Sequence, residues 1–174
     1  EAFPVAERVL KHLRSHKTCE RAEPLGSLRR MVATVGDIDI AVASQNPKEI
    51  IKHFKKFKEV KRVLDAGPRK SSLLLLNGIQ VDLIVQPAQA FGALLQHFTG
   101  SKNHNIKLRE YALKKGYSVS DYGIKVKGKI KEFKTEEDFY KFLGMDFIVP
   151  EMREDTGEIE AALTHKLPLV VDVG

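Results

Sequence analysis

Apolar positions along the chain alternate between helical and strand period, and those changes divide it into elements. Val5, Val9, Leu10 and Leu13 recur at helical spacing over residues 3–16, and Pro4 suits a first turn. Residues 18–26 are polar, with Pro24 and Gly26, and read as loop or short strand. Ser27 is a residue type that caps helices, so a short helix is expected over 27–32. Residues 38–43 and 60–66 are β-prone. Between them Asn46-Pro47-Lys48-Glu49 opens a helix to about Phe57, with Ile50, Ile51, Phe54 and Phe57 on one face. Residues 72–76 and 79–85, joined by Asn77-Gly78, make a hairpin that ends at Pro87.

Beyond Pro87 the helical period returns. Residues 88–97 predict a helix, 98–101 a break, and 102–115 a basic helix ended by Gly116. Residues 117–133 alternate around Gly123 and Gly128 as a small sheet would. Thr135 to Asp138 cap a last helix to about Leu143, and the remainder, with Pro150, Gly157 and Pro168, is expected to be irregular. The pattern gives an α+β fold.

Length and composition narrow the function. A chain of 174 residues can bury a substantial core. No apolar run has membrane-spanning length, no basic-then-apolar leader is present, and the single Cys19 excludes an intrachain disulfide. These features predict a cytoplasmic protein with no membrane partner. Net charge is +6, unevenly placed. Residues 102–131 hold nine Lys/Arg against Glu110 and Asp121, whereas 132–160 hold ten acids against Lys134, Lys141 and Arg153. Such a basic body suits a polyanion partner. The basic residues of 48–62 fit a plain solvated helix face.

Three aspartates interrupt apolar strands. Asp37 and Asp39 lie in Gly36-Asp37-Ile38-Asp39-Ile40, and Asp82 lies in Val81-Asp82-Leu83-Ile84. An acid in an apolar run is costly to bury as an ion unless something pairs with it. Residues two apart on a strand share a face, about 6.6 Å apart at roughly 3.3 Å per residue. Carboxylates so placed suit an oxygen-ligated divalent cation such as Mg²⁺. The pattern points to metal-assisted phosphoryl or nucleotidyl transfer. His12, His16 and Cys19 have ligand-like spacing but no evident fourth ligand, and read as surface residues. His53 and His165 stand in no visible constellation, and there is no Ser-His-Asp arrangement.

With these residues in view, the chain resembles the catalytic core of family X DNA polymerases, the group that includes DNA polymerase beta. The carriers are G-S-L-R-R at 26–30, G-D-I-D-I at 36–40, V-D-L-I at 81–84 and H-F-T-G-S-K-N-H-N-I-K-L-R at 97–109, with A-L-K-K-G-Y at 112–117 and D-Y-G-I at 121–124. The resemblance implies a nucleotidyltransferase palm over 1–95, a mixed sheet with helices on one face. A small α/β thumb with an irregular tail follows over 96–174. It implies that Asp37, Asp39 and Asp82 are the catalytic metal triad for two Mg²⁺ ions, with Mn²⁺ as a substitute. Asp82 is then nearest the primer 3′-hydroxyl.

The same resemblance assigns the deoxynucleoside triphosphate to Gly26, Ser27, Arg30, Gly36, His97, Phe98, Gly100 and Asn105, with Asn105 on the minor-groove edge of the incoming base. It assigns primer or template DNA to Lys70, Lys102, Lys107 and Arg109. DNA polymerase beta has Tyr where His97 stands. The stretch at 150–160 looks like the bacterial and archaeal branch. The chain is therefore expected to be a monomeric, nucleoid-associated piece, continuous in the full-length protein with an N-terminal DNA-binding domain and a C-terminal PHP domain. The activity implied is templated gap filling in DNA repair. The alternatives are a nucleotidyltransferase acting on a non-DNA acceptor and a non-catalytic DNA-binding fragment.

Overall fold

The computed structural model describes residues 2–32 and 36–168. Its first half is built on a five-stranded mixed sheet in the order β1-β2-β5-β4-β3. These strands are β1 (Arg21–Pro24), β2 (Ile38–Ala43), β3 (Val60–Ala66), β4 (Lys70–Leu75) and β5 (Gln80–Gln86). Only β2 and β5 run parallel; the other pairs are antiparallel.

Strand alternation gives the sheet two different faces. Ile38, Ile40 and Val42 of β2 join Val81, Leu83 and Val85 of β5 and Leu73 and Leu75 of β4 on one face, in one core. Two helices close it, α1 (Ala2–Arg14) through Val5, Val9, Leu10 and Leu13, and α3 (Pro47–Phe54) through Ile50, Ile51 and Phe54. Pro47 stands at the start of α3, where its missing N–H costs nothing. The other face carries Asp39, Ala41 and Ala43 from β2 and Asp82 and Ile84 from β5. The small alanines admit α4 (Phe91–Thr99), whose Phe91, Leu94 and Leu95 pack on Ala41, Ala43 and Ile84. Asp39 and Asp82 lie earlier on their strands and open onto a cleft.

Helix α4 faces two ways, because its Ala93 belongs to a second core. That core gathers Leu108 and Ala112 of α5 (Lys102–Lys114), Ile124 of a three-stranded sheet, Phe139 and Tyr140 of α6 (Glu136–Phe142), and Ile159 and Ala162 of α7 (Glu158–Leu163). The small sheet is β6 (Ser118–Ser120), β7 (Gly123–Val126) and β8 (Lys129–Lys131) in sequence order. Gly92 permits the contact of α4 with the segment before α6. A Cβ there would meet the Thr135 carbonyl oxygen at 2.4 Å, while the Gly92 N–H donates to the Phe133 carbonyl at 2.9 Å.

Several sequence expectations are corrected. Ser27 does not cap a helix: α2 (Gly26–Arg29) is one turn, its N-cap is Leu25, and no side chain caps it. Gly26 adopts φ +59, a left-handed conformation that glycine enters at little cost, and so the turn starts one residue early. Helix α3 stops at Phe54, and α4 runs on to Thr99, so the break is only Gly100-Ser101. The C-terminal stretch is not wholly irregular, because α7 forms there. Glu158 nucleates it by accepting the backbone N–H groups of Asp155 and Thr156 at 3.0 and 2.7 Å.

His53 does have a partner. Its ring stacks on His12 with centroids 3.9 Å apart and planes within 2°, and each Nε2 lies 2.7 Å from the other's carbonyl oxygen. The pair thus cross-links α1 and α3. His165 lies 2.9 Å from the Asp146 carboxylate. Among the described residues no helix is long and apolar enough to cross a membrane.

Candidate active site

The parallel pairing of β2 and β5 sets Asp39 directly opposite Asp82. Neighbouring strands lie about 4.8 Å apart, so two carboxylates from this rung must meet. They open into a cleft of about 440 Å³ whose walls include Lys70, Ser72, Gln80, Asp65 and Phe98. The rung continues through Ser72 of β4 to Asp65 of β3. Gln80 Nε2 donates to Asp82 Oδ1 at 2.9 Å. Gly26 sits against the same group: a Cβ there would be 3.9 Å from Asp39 Oδ2.

Electrostatics record the crowding. Solvent reaches Asp39, yet surrounding protein strips much of its hydration, and this raises its pKa. The neighbouring Asp82 and Asp37 carboxylates add to it, and the value reaches about 6 against an ordinary 3.8. The structure therefore brings Asp39 and Asp82 together, with Asp37 close enough to be felt. Among the described residues no three His, Cys, Asp or Glu side chains form a ready-made metal cluster. Two all-oxygen carboxylates nevertheless fit Mg²⁺, which is held through one or two carboxylates plus substrate phosphates and water.

A raised carboxylate pKa has a defined linkage. The folded state binds a proton at Asp39 more readily than the unfolded chain does. Its contribution to stability is full below about 4 and is lost as pH rises through about 6. A divalent cation replaces that proton. Mg²⁺ is expected to raise the thermal midpoint clearly at pH 8 and little at pH 5. Equal shifts at both pH values in thermal denaturation would refute the carboxylate pairing as the cause.

The other expected residues divide into two groups. Ser27 lies in α2 and Arg30 directly follows it, but neither lines the cleft, and Arg30 is engaged elsewhere. Its Nε donates to Glu154 at 2.5 Å and its Nη1 to the Thr99 carbonyl at 2.5 Å. Gly100, at φ +71, gives that guanidinium room, since a Cβ would sit 3.1 Å from Arg30 Nη1. Phe98 lines the cleft, and His97 meets it edge-on at 4.7 Å. Burial lowers the His97 pKa; Asp121 opposes that and Arg109 adds to it, so the three groups are electrostatic neighbours.

Asn105 is buried at 8% exposure, its amide clasped between α4 and α5. It accepts from Gln96 Nε2 at 2.8 Å and donates to the His97 carbonyl at 2.8 Å. A contact with a base edge requires those bonds to open. Arg109 is exposed on the next turn, its Nε donating to the Asn105 carbonyl at 3.2 Å. Lys70, at the start of β4, stands at the cleft. Lys102 and Lys107 are exposed on α5, and Lys107 lies 3.6 Å from Asp155. Gly36 is exposed at φ +132, just before Asp37.

Sequence reading missed Gln80, Asp65 and the contacts joining the two cores. Gln80 was within reach, being two residues before Asp82 and so on its face. The ion pairs were not. Arg29 Nη1 donates to Thr99 Oγ1 at 2.8 Å and its Nη2 to Glu136 at 2.5 Å, across 107 residues. Arg69 bonds Tyr122 Oη at 2.6 Å and also Gln86.

Comparison with known proteins finds relatives over most of the chain. Residues 94–154 match the family described as DNA polymerase beta thumb. The chain is 35% identical over 163 residues to the DNA polymerase/3′-5′ exonuclease PolX of Bacillus subtilis, covering 91% of this chain and 29% of that protein. It is 27% identical over 167 residues to the repair DNA polymerase X of African swine fever virus, covering 84% of this chain and 95% of the viral protein. It is also 27% identical over 167 residues to rat DNA polymerase lambda, covering 74% of this chain and 28% of that protein. The chain belongs to family X of the DNA polymerases. It spans under a third of the bacterial and rat relatives and nearly all of the viral one.

Proposed function

We propose that this chain carries the catalytic centre of a DNA-directed DNA polymerase that extends a primer 3′-hydroxyl and fills short gaps during repair. The observation that carries the reading is the Asp39–Asp82 rung, two carboxylates forced together at a cleft with Asp37 adding its charge. A divalent cation held between them would relieve their repulsion above the Asp39 pKa, where no proton does. The names of the relatives support the reaction class.

Asp37, Asp39 and Asp82 would hold two Mg²⁺ ions. When bound, these ions neutralise triphosphate charge and make the 3′-hydroxyl more acidic. Asp82 receives the hydroxyl proton as the 3′-oxygen bonds to the α-phosphorus, and pyrophosphate leaves with the electron pair of the broken P–O bond. Ser27 on α2 takes the phosphate tail by hydrogen bonding, and Arg30 adds its charge once it exchanges Glu154 for phosphate. Phe98, with His97 behind it, walls the cleft on the sugar side. Lys70 at the cleft and Lys102, Lys107 and Arg109 on α5 hold the DNA backbone through phosphate contacts.

The test is extension of a primer across a one-nucleotide gap with Mg²⁺ or Mn²⁺, each nucleotide supplied singly against each template base. Extension by the matching nucleotide is expected. Incorporation that ignores the template would transfer the reading to an untemplated nucleotidyltransferase. Absence of both extension and metal-dependent nucleotide binding would refute it.

A further inference from the structure

We infer that Gln80 is the positioning residue for Asp82, holding that carboxylate toward Asp39 by a neutral hydrogen bond. The inference deepens the polymerase reading and rests on it. Gln80 and Asp82 project from one face of β5, and the amide Nε2 reaches Asp82 Oδ1 at 2.9 Å. Both line the cleft. The β5 backbone is fixed on both sides, since Asp82 pairs with Asp39 of β2 and Ser72 of β4, and Gln80 pairs with Leu74. The amide stem therefore has a rigid origin.

Asp82 needs such a hold. Asp39 stands opposite it on the parallel rung, and like charge there favours any rotamer that swings the Asp82 carboxylate away. Gln80 ties down one oxygen and leaves Oδ2 for the cleft. An arginine or lysine could donate the same bond, but its charge would offset the negative field that attracts a cation. An amide supplies direction without charge. The other side chain in hydrogen-bonding contact with Asp82 is Asp39, which can donate only while it carries a proton; the Gln80 amide donates whatever the state of Asp39.

The test compares the chain with Gln80→Met, which keeps length and loses the donor, and Gln80→Arg, which keeps a donor and adds charge. Two readouts are taken: single-turnover extension on gapped DNA, and Mn²⁺ binding to the DNA-free protein by electron paramagnetic resonance. Gln80→Met is expected to lower the maximal extension rate about tenfold, the scale of one hydrogen bond to a charged group, with the nucleotide KM nearly unchanged. It is also expected to weaken Mn²⁺ binding several-fold. Gln80→Arg is expected to recover rate at saturating metal while demanding more metal to reach half-maximum. An unchanged thermal midpoint in Gln80→Met separates positioning from misfolding.

Mn²⁺ affinity equal in the parent and Gln80→Met overturns the inference whether or not the parent extends a primer. A loss confined to KM, or a Gln80→Arg variant as slow as Gln80→Met at saturating metal, overturns it as well. Failure of the parent both to extend and to bind nucleotide with metal, with Mn²⁺ binding still weakened in Gln80→Met, refutes the polymerase reading and leaves the role of Gln80 standing.

Discussion

Asp82→Ala is expected to reduce primer extension by about a thousandfold or more while DNA affinity stays within about twofold. The two numbers separate because the functions use different atoms. DNA affinity comes mainly from cations on phosphates, and on the proposed reading those are Lys70 at the cleft and Lys102, Lys107 and Arg109 on α5. Asp82 contacts none of these, but it faces Asp39 across the parallel rung and accepts the Gln80 amide. On the proposed reading, removing it takes away one of two paired metal carboxylates and the acceptor of the 3′-hydroxyl proton. General-base loss alone typically costs about a hundredfold to ten-thousandfold.

The same substitution relieves a repulsion. In metal-free Asp82→Ala, Asp39 loses one of its charged neighbours, so its pKa should fall from about 6 back toward 3.8. Carboxyl resonances followed through a pH titration would report this without any enzyme assay. Retained extension in Asp82→Ala would refute the assignment of the triad. An Asp39 titration that does not move would refute the pairing itself.

The acids were legible because each interrupts a short apolar run, and polar breaks in β-prone sequence stand out. The strands at 38–43 and 60–66 were readable at their observed limits for the same reason: alternation or β-branching bounded by turn residues. What could not be read was register. Asp39 and Asp82 are 43 positions apart and join only because β5 lies beside β2 after β3 and β4 have been placed outside it. No local pattern encodes that order. Helix α7 was hidden for a related reason. Its acidic, glycine-led segment has weak local preference, and its anchor is the buried contact of Glu158 with His104 Nδ1 at 2.6 Å, which exists only once α5 is in place. The partners of Arg30 and Asn105 were hidden too. Motif spacing tells which residues face a cleft in outline, but not which protein carbonyls and carboxylates compete for them.

Glu136→Ala is expected to destabilise the fold by about 3–5 kcal/mol, much of the roughly 5–15 kcal/mol that holds a domain together. Glu136 is buried at the first turn of α6 and receives Arg29 Nη2 at 2.5 Å and Arg153 Nη1 at 2.6 Å. Arg153 is wholly buried, its guanidinium 5.1 Å from the Tyr140 ring centre and 5.6 Å from that of Phe147, with Nε on the Ile148 carbonyl at 2.9 Å. Its Nη2 is already without a hydrogen-bond partner. Removing Glu136 strands a charge in the second core. It also leaves Arg29 of α2, the turn that carries Ser27, tied to the rest of the fold through Thr99 Oγ1 without its ion pair.

The pH dependence follows from the pKa. Burial would raise that of Glu136, but Arg153 and Arg29 outweigh burial and hold it below the ordinary 4.5. Its contribution is therefore present above about 4.5 and is lost as pH falls through the depressed folded value. Urea denaturation should show the full deficit of Glu136→Ala at pH 7 and a smaller one under acid conditions. Replacing the stranded cation with a long apolar side chain, as Glu136→Ala combined with Arg153→Met, should recover part of the loss at pH 7, because the cost lies in the unpaired charge rather than in the missing bond. A double variant less stable than Glu136→Ala alone would instead locate the stability in the Arg153 stacking on Tyr140 and Phe147.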